Sequence, residues 1–312
     1  MKTIHNIQDE SELPLNGSVI TLGNFDGIHP GHVALLNRIT DISIEKKIPS
    51  LVITYHPNPA RVLGKKQNFK DIFSFDIKRN LLNNCGIDYF YPIPFTPEFA
   101  GMNAYDFLRD VLVKKLKARH IVIGFNHCFG KGREGNFSFL KKHSREFNYD
   151  VEEIEEVKFD GEVISSSLIR KNIQEGNIKK ANKMLDRIFY LRGTVGRGFQ
   201  RGKKIGFPTA NLIVESEYII IPGDGVYACL ININNKLYKA IVNIGNNPTF
   251  ENREKSIEGH VLGYHGDLYG KDIEFHFFEK IRDEMKFNSI EDLIEQIYKD
   301  RERAYSMLAG II

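Results

Sequence analysis

The chain has 312 residues, 42% hydrophobic and 27% charged, with a formal net charge of +3 at pH 7. Its 22 Phe and 13 Tyr exclude global disorder, and its length suffices for one large core or two. The small net charge argues for neither a nucleic-acid nor a membrane partner. The sequence has no run of about 18 apolar residues and no signal-peptide pattern at its start, so a cytoplasmic location is expected. Cys85, Cys128 and Cys229 lie far apart and form no CxxC pair, which suits a reducing compartment and disfavours thiolate-bound zinc.

Short β-rich runs at residues 19–22, 51–54, 89–91 and 121–123 read as buried strands. Amphipathic stretches at 32–46 and 104–116 read as helices between them. Strand and helix in alternation imply βαβ units and a mostly parallel, Rossmann-like sheet with helices on both faces. Residues 167–185 are helical in pattern, interrupted near Gly176. From Phe189 onward the pattern is strand-rich, at 189–195, 225–233, 237–242 and 273–278, with Asn234 and Asn235 suited to a tight hairpin. This half reads as a small antiparallel β-barrel. A last helix follows Ser289, with Ile290, Leu293, Ile294 and Ile297 on one face and Asp292 as a capping partner. Two domains of different class are therefore expected, 1–186 and 187–312.

The stretch GNFDGIHPGH at 23–32 falls between a buried strand and an amphipathic helix. Pro30 fits a first helical turn. His29 and His32 can face the same way at the helix N-terminus, where free N–H groups and the helix dipole favour phosphate. Gly23 and Gly27 let backbone approach a ligand, and two imidazoles there can donate to charge developing on a transferring phosphate. Read alone, such a pair is more often structural. Ser165, Ser166 and Arg170, in VISSSLIR at 163–170, place hydroxyls and a guanidinium at another helix start, a clamp for a triphosphate. A serine run of this kind can also be only a cap.

In the second half, GRGFQRGKKIGFPTAN at 196–211 is basic and glycine-rich. Its glycines allow N–H groups to wrap phosphates, and Arg197, Arg201, Lys203 and Lys204 supply counter-charge. Thr209 and Asn211, alternate on a strand, offer two hard oxygens on one face for magnesium with ATP phosphates.

Taken in order, these motifs resemble the bacterial bifunctional riboflavin kinase/FAD synthetase family from Val19 to about Arg303. The first stretch resembles the nucleotidyltransferase signature GxFDxxHxGH, and VISSSLIR resembles its ISSTxIR motif with Ser167 for Thr. GFNHCFGKGREG at 124–135 is similar to the family's GxDFxFGxxRxG, with Asn126 in place of the acid and His127 in place of Phe. GFPTAN resembles the riboflavin kinase signature, followed by similar segments at 222–228, 243–250, 267–270 and 281–287; Gly263-Tyr264 departs from the usual Asp-Phe. The resemblance implies phosphorylation of riboflavin to FMN by ATP, then adenylylation of FMN to FAD with release of pyrophosphate. It implies an adenylyltransferase ATP site at Gly23, Asn24, Phe25, Asp26, His29, His32, Asn126, Arg133, Ser165, Ser166 and Arg170. In the kinase it implies ATP binding by Gly198, Gly202, Lys204, Gly206, Pro208, Thr209 and Asn211, with the last two holding Mg2+. Glu258 falls at the position of the catalytic base, and Arg282 and Glu284 at flavin-binding positions. FMN and FAD are then substrates and products, and the chain a monomer or weak oligomer. A monofunctional adenylyltransferase with an inactive flavin-binding barrel, and a non-enzymatic flavin sensor, are the alternatives.

Overall fold

A computed structural model describes the chain except residues 15, 65–68, 198–201, 203–204, 247–254 and 312. The chain packs as two compact units, Met1–Ser166 and Ser167–Ile312.

In the first unit, strands β1 (Lys2–Thr3), β2 (Ser18–Leu22), β3 (Ser50–His56), β4 (Tyr89–Pro94), β5 (Ala118–Gly124) and β6 (Asp150–Ile154) form one parallel sheet. Helix α1 (Pro30–Lys46) links β2 to β3; α2 (Pro59–Val62) and α3 (Phe75–Asn84) lie between β3 and β4. The next crossover holds α4 (Pro97–Ala100), α5 (Ala104–Asp106) and a π-helical stretch, Phe107–Lys115; α6 (Phe137–Phe147) precedes β6, and a short antiparallel pair, β7 (Lys158–Phe159) and β8 (Glu162–Val163), follows it. The spatial order β1-β4-β3-β2-β5-β6 reverses direction between β2 and β5. Ligands of such sheets bind in the crevice beyond the strand ends at that reversal.

All five residues of β2 are buried, as a strand covered on both faces requires. Successive side chains alternate between the faces. Ile20 and Leu22 join Leu108, Leu112 and Leu140 in one cluster, while Val19 packs with Leu36, Ile39 and Leu82 in another. The sequence pattern finds β2 to β5 and α1, and misses β1, β6, α3 and α6. Strand β6 is hard to read because it carries Asp150, Glu152 and Glu153 and buries only Val151. Its acids are held by the neighbouring helix: Arg38 grips Glu152 through two hydrogen bonds of 2.7 and 2.8 Å, and Lys46 meets Asp150 at 2.7 Å.

The second unit takes in α7 (Ser166–Gln174), which opens on the last residue of the first unit, and α8 (Ile178–Leu185). Strands β9 (Phe189–Gly196), β10 (Ala210–Val214), β11 (Gly225–Ile233), β12 (Lys236–Asn246), β13 (Lys255–Val261) and β14 (Asp272–Arg282) close into a barrel in the order β10-β13-β12-β11-β14-β9, every pair antiparallel. Asn234 and Asn235, at φ 51° and 62°, make the tight hairpin turn between β11 and β12. Helix α9 (Ile290–Met307) is capped by Ser289, whose Oγ accepts from the Asp292 N–H at 3.1 Å. It covers Val226, Ala228 and Leu230 with Ala304 and Leu308, while Ile290 at its start is 58% exposed. Among the described residues no helix is long and apolar enough to cross a membrane.

The compositional change near Asp186 marks the approach to β9, whereas by packing α7 and α8 go with the barrel. Ile178, Ala181, Met184 and Leu185 are fully buried. The Asn182 amide donates to the Phe277 carbonyl and its oxygen accepts from the Phe189 N–H, both at 2.8 Å. A truncated chain starting at Ser167 should therefore unfold cooperatively, whereas one starting at Arg187 should lose several kcal/mol of stability, because each large side chain uncovered costs about 1.5–3 kcal/mol. Denaturant titration of the two fragments checks this.

Candidate active sites

Strand β2 ends at Leu22, and the next residue is tied to its neighbour strand by Gly23 N–H donating to the Ile53 carbonyl at 3.0 Å. The Asn24 carbonyl accepts two side-chain donors, Thr54 Oγ1 at 3.2 Å and Lys78 Nζ at 2.9 Å. Phe25 and Ile28 then adopt left-handed backbone, at φ 48° and 43°, with both side chains fully buried. Asp26 is buried: its Oδ1 accepts from the Ile72 N–H and its carbonyl accepts from Ser166 Oγ, both at 2.9 Å. This turn delivers His29 to the cap position of α1, with Pro30 as the first helical residue. One helical turn on, the His32 ring stacks on His29, centroids 3.8 Å apart and planes at 22°, with Phe25 at 5.2 Å on the His32 side. A stacked imidazole pair at the positive end of a 17-residue helix, beyond the central strand, is a place where an anion can be received.

The structure thus gathers Asn24, Phe25, Asp26, His29, His32 and Ser166 around one turn. Ser165 precedes it on the same approach, and Arg170 stands one turn along α7. Asn126 and Arg133 are exposed in the loop that leaves β5, the strand hydrogen-bonded to β2. His127 in that loop keeps an edge in solvent, yet its Nε2 is enclosed and has no hydrogen-bond partner among the described residues. Burial, reinforced by the Arg133 charge, pushes its pKa down to about 4.

On the barrel, strand register assembles the second group. Glu258 on β13 lies opposite Asn211 of β10 on one side and Asn243 of β12 on the other. Thr209 Oγ1 donates to Glu258 Oε2 at 3.3 Å. Asn243 in turn hydrogen-bonds Glu284, whose carboxyl is raised above its ordinary pKa by burial first and the Asp224 charge second. A Cβ at Gly245 would overlap the Glu284 carboxylate, so only glycine admits it there. The loop before β10 is folded by the Ile205 and Phe207 N–H groups donating to the Gly202 carbonyl, and His260 Nδ1 donates to the Pro208 carbonyl at 2.9 Å. Gly206 follows at φ 88°. Gly198 and Lys204 lie outside the described residues. Arg282 is occupied elsewhere: its Nε and Nη2 grip buried Asp300 on α9 at 2.8–3.0 Å, and its Nη1 donates to the Asp283 carbonyl at 2.9 Å. Among the described residues no three His, Cys, Asp or Glu converge as a metal cage. Thr209 and Asn211 offer neutral oxygens, a donor set that fits magnesium, which keeps water and phosphate oxygens as its other ligands.

An imidazole pair at a helix start by the switch point of a doubly wound sheet, and a carboxylate–hydroxyl pair on a barrel, suit a two-domain nucleotide-dependent transferase. Residues 12–168 match the FAD synthetase family and residues 185–308 the riboflavin kinase family. The bifunctional riboflavin kinase/FMN adenylyltransferase of Escherichia coli (strain K12) is 34% identical over 301 residues, 96% of each chain. That of Bacillus subtilis (strain 168) is 34% identical over 320 residues, spanning 100% of this chain and 99% of the relative. A crystal structure described as a macrolide-efflux protein from Streptococcus pneumoniae is 31% identical and superposes with a TM-score of 0.87 over 97% of this chain and 98% of that one. The chain belongs to the bifunctional riboflavin kinase/FMN adenylyltransferase family, and it carries both activities.

Sequence reasoning missed Lys78, Thr54 and Asn243. Lys78 had a signal: it sits between Ile77 and Leu82 on the buried face of α3, where a solvated lysine does not belong. Asn243 opens the family-like segment 243–250, but that segment gives it no role of its own; its register with Glu258 does. The enclosed, unpaired nitrogen of His127 yields a prediction. A histidine pKa lowered on folding means that stability is full above about 6.5 and is lost as pH falls towards about 4. His127→Phe should remove that loss and raise neutral-pH stability by about 1 kcal/mol, read by denaturant unfolding at pH 7.5 and pH 5.

Proposed function

We propose that the two reactions run at the two groups described: riboflavin phosphorylation on the barrel and FMN adenylylation at the turn after β2. The contact between Thr209 and Glu258, with Asn211 and Asn243 in register beside them, is the observation that carries the kinase assignment. Glu258 accepts the proton of the ribityl 5′-hydroxyl as that oxygen attacks the γ-phosphorus of ATP and ADP leaves. Thr209 orients the base through its hydroxyl, and Asn211 faces the same way. Magnesium held by Thr209 and Asn211 would, when bound, neutralise charge on the β- and γ-phosphates. Gly202, Gly206 and Pro208 shape the loop around the nucleotide. Glu284 orients flavin, helped by its bond to Asn243, while Arg282 contributes by fixing α9 to the end of β14.

At the other site no protein nucleophile is required. The FMN phosphate oxygen attacks the α-phosphorus of ATP, the bond to the bridging oxygen breaks, and pyrophosphate leaves. His29 and His32 donate to the developing charge from the helix N-terminus. Ser165, Ser166 and Arg133 hold the triphosphate, and Asn126 makes neutral hydrogen bonds where related sequences carry an acid. We further infer a cytoplasmic, monomeric or weakly associating enzyme that takes riboflavin, FMN and ATP and no nucleic acid.

Two substitutions test the division of labour. His32→Ala should slow FAD formation about 100-fold, the scale of one lost transition-state donor, with FMN formation unchanged. Glu258→Gln should abolish FMN formation while supplied FMN is still adenylylated at a near-normal rate. Chromatography of flavin products from full-length protein reads both. Loss of both reactions in either folded variant would contradict two independent sites.

A further inference from the structure

Among the described residues of the first unit, Lys78 is the one buried lysine, and it reaches the turn after β2. The residue is 6% exposed, and burial holds its ammonium below the ordinary lysine pKa. Among the described residues its Nζ has a single hydrogen-bond acceptor, the Asn24 carbonyl at 2.9 Å. The nearby carboxylates are engaged otherwise: Asp26 Oδ1 receives the Ile72 N–H, and Asp71 receives the Asn58 amide at 3.0 Å and Arg61 at 3.9 Å. An ammonium taken out of water for one hydrogen bond is costly. Asp26 and Asp71 balance its charge through space, yet among the described residues its one hydrogen bond goes to the Asn24 carbonyl.

The bond it makes has a geometric consequence. In a trans peptide the C=O and the following N–H point in opposite directions. Lys78 and Thr54 together hold the Asn24 carbonyl towards the interior, which turns the Phe25 N–H the other way. That N–H meets no acceptor among the described residues. It belongs to a residue at φ 48°, a conformation a phenylalanine keeps only when its surroundings impose it.

We propose that Lys78 is a positioning residue for adenylyl transfer. By pinning the Asn24 carbonyl it aims the Phe25 N–H at the phosphate site, where the donor acts beside His29 and His32. The inference rests on placing adenylyl transfer at this turn. A donor used chiefly in the transition state changes kcat more than substrate affinity. Lys78→Met should therefore lower kcat for FAD formation about 100-fold, the penalty of a slightly misplaced group, with ATP affinity by calorimetry within about threefold. Riboflavin phosphorylation by the same preparation should be unchanged. A purely structural role would lower the unfolding temperature yet leave kcat per titrated ATP site at the wild-type value.

Thr54→Val removes the second donor to the same carbonyl without stranding a charge. It should show the same split at about fivefold, near the worth of one neutral hydrogen bond. Folded Lys78→Met protein with kcat for FAD within twofold of wild type overturns the proposal. If Lys78→Met does not fold, unchanged kcat in Thr54→Val overturns it instead. Were the site itself wrongly placed, His32→Ala would retain FAD synthesis. Failure of the lysine inference alone leaves His32→Ala strongly slowed and Lys78→Met at the wild-type rate.

Discussion

A turn in which Phe25 and Ile28 hold left-handed backbone must be over-determined by its surroundings, because each such residue costs of order 1–3 kcal/mol. Here both side chains are buried, and the Asn24 carbonyl and the Asp26 carboxylate and carbonyl are all tied by hydrogen bonds. The polar atoms of the turn thus face the interior to hold its shape. The stacked imidazoles and the first turn of α1 lie beside these bonds. Asp26 illustrates the trade: an acid inside a nucleotide-binding motif, its carboxylate bound to a backbone amide rather than open to substrate.

The barrel solves the same problem by other means. Its proposed site residues gather on neighbouring strands: cross-strand register, instead of a strained loop, brings Asn211, Asn243 and Glu258 together, and Thr209, just before β10, reaches Glu258 by its hydroxyl. Buried Asp300, gripped by Arg282 and Gln296, fastens α9 across the end of β14. A buried ion pair of this kind is weak evidence for stability. Its geometry does fix where the segment between β14 and α9, with Glu284, leaves the barrel.

Much of this was legible in the sequence because chemistry and local structure coincide there. The strand–motif–helix of 18–46 announces the sheet, and the strand-rich pattern from Phe189 announces the barrel. What stayed hidden depends on distant contacts. Edge strand β6 reads as polar because its partners are Arg38 and Lys46 on another element. Lys78 matters through a carbonyl far away in sequence. Arg282 falls within a binding motif, yet a buried aspartate on α9 engages its guanidinium. The affiliation of α7 and α8 with the barrel is likewise set by tertiary bonds from Asn182, which composition does not record.

The three-strand register around Glu258 constrains how this enzyme can drift. Side chains on a strand alternate faces with period two, so a one-residue insertion or deletion anywhere in β10, β12 or β13 between the hairpin and the site would rotate its polar group to the opposite face. Substitutions at neighbouring positions leave that geometry intact. Changes of length are tolerable only in the connecting loops. In the barrel, then, residue count along each strand is more strictly inherited than residue identity, and gaps in related sequences belong outside these strands.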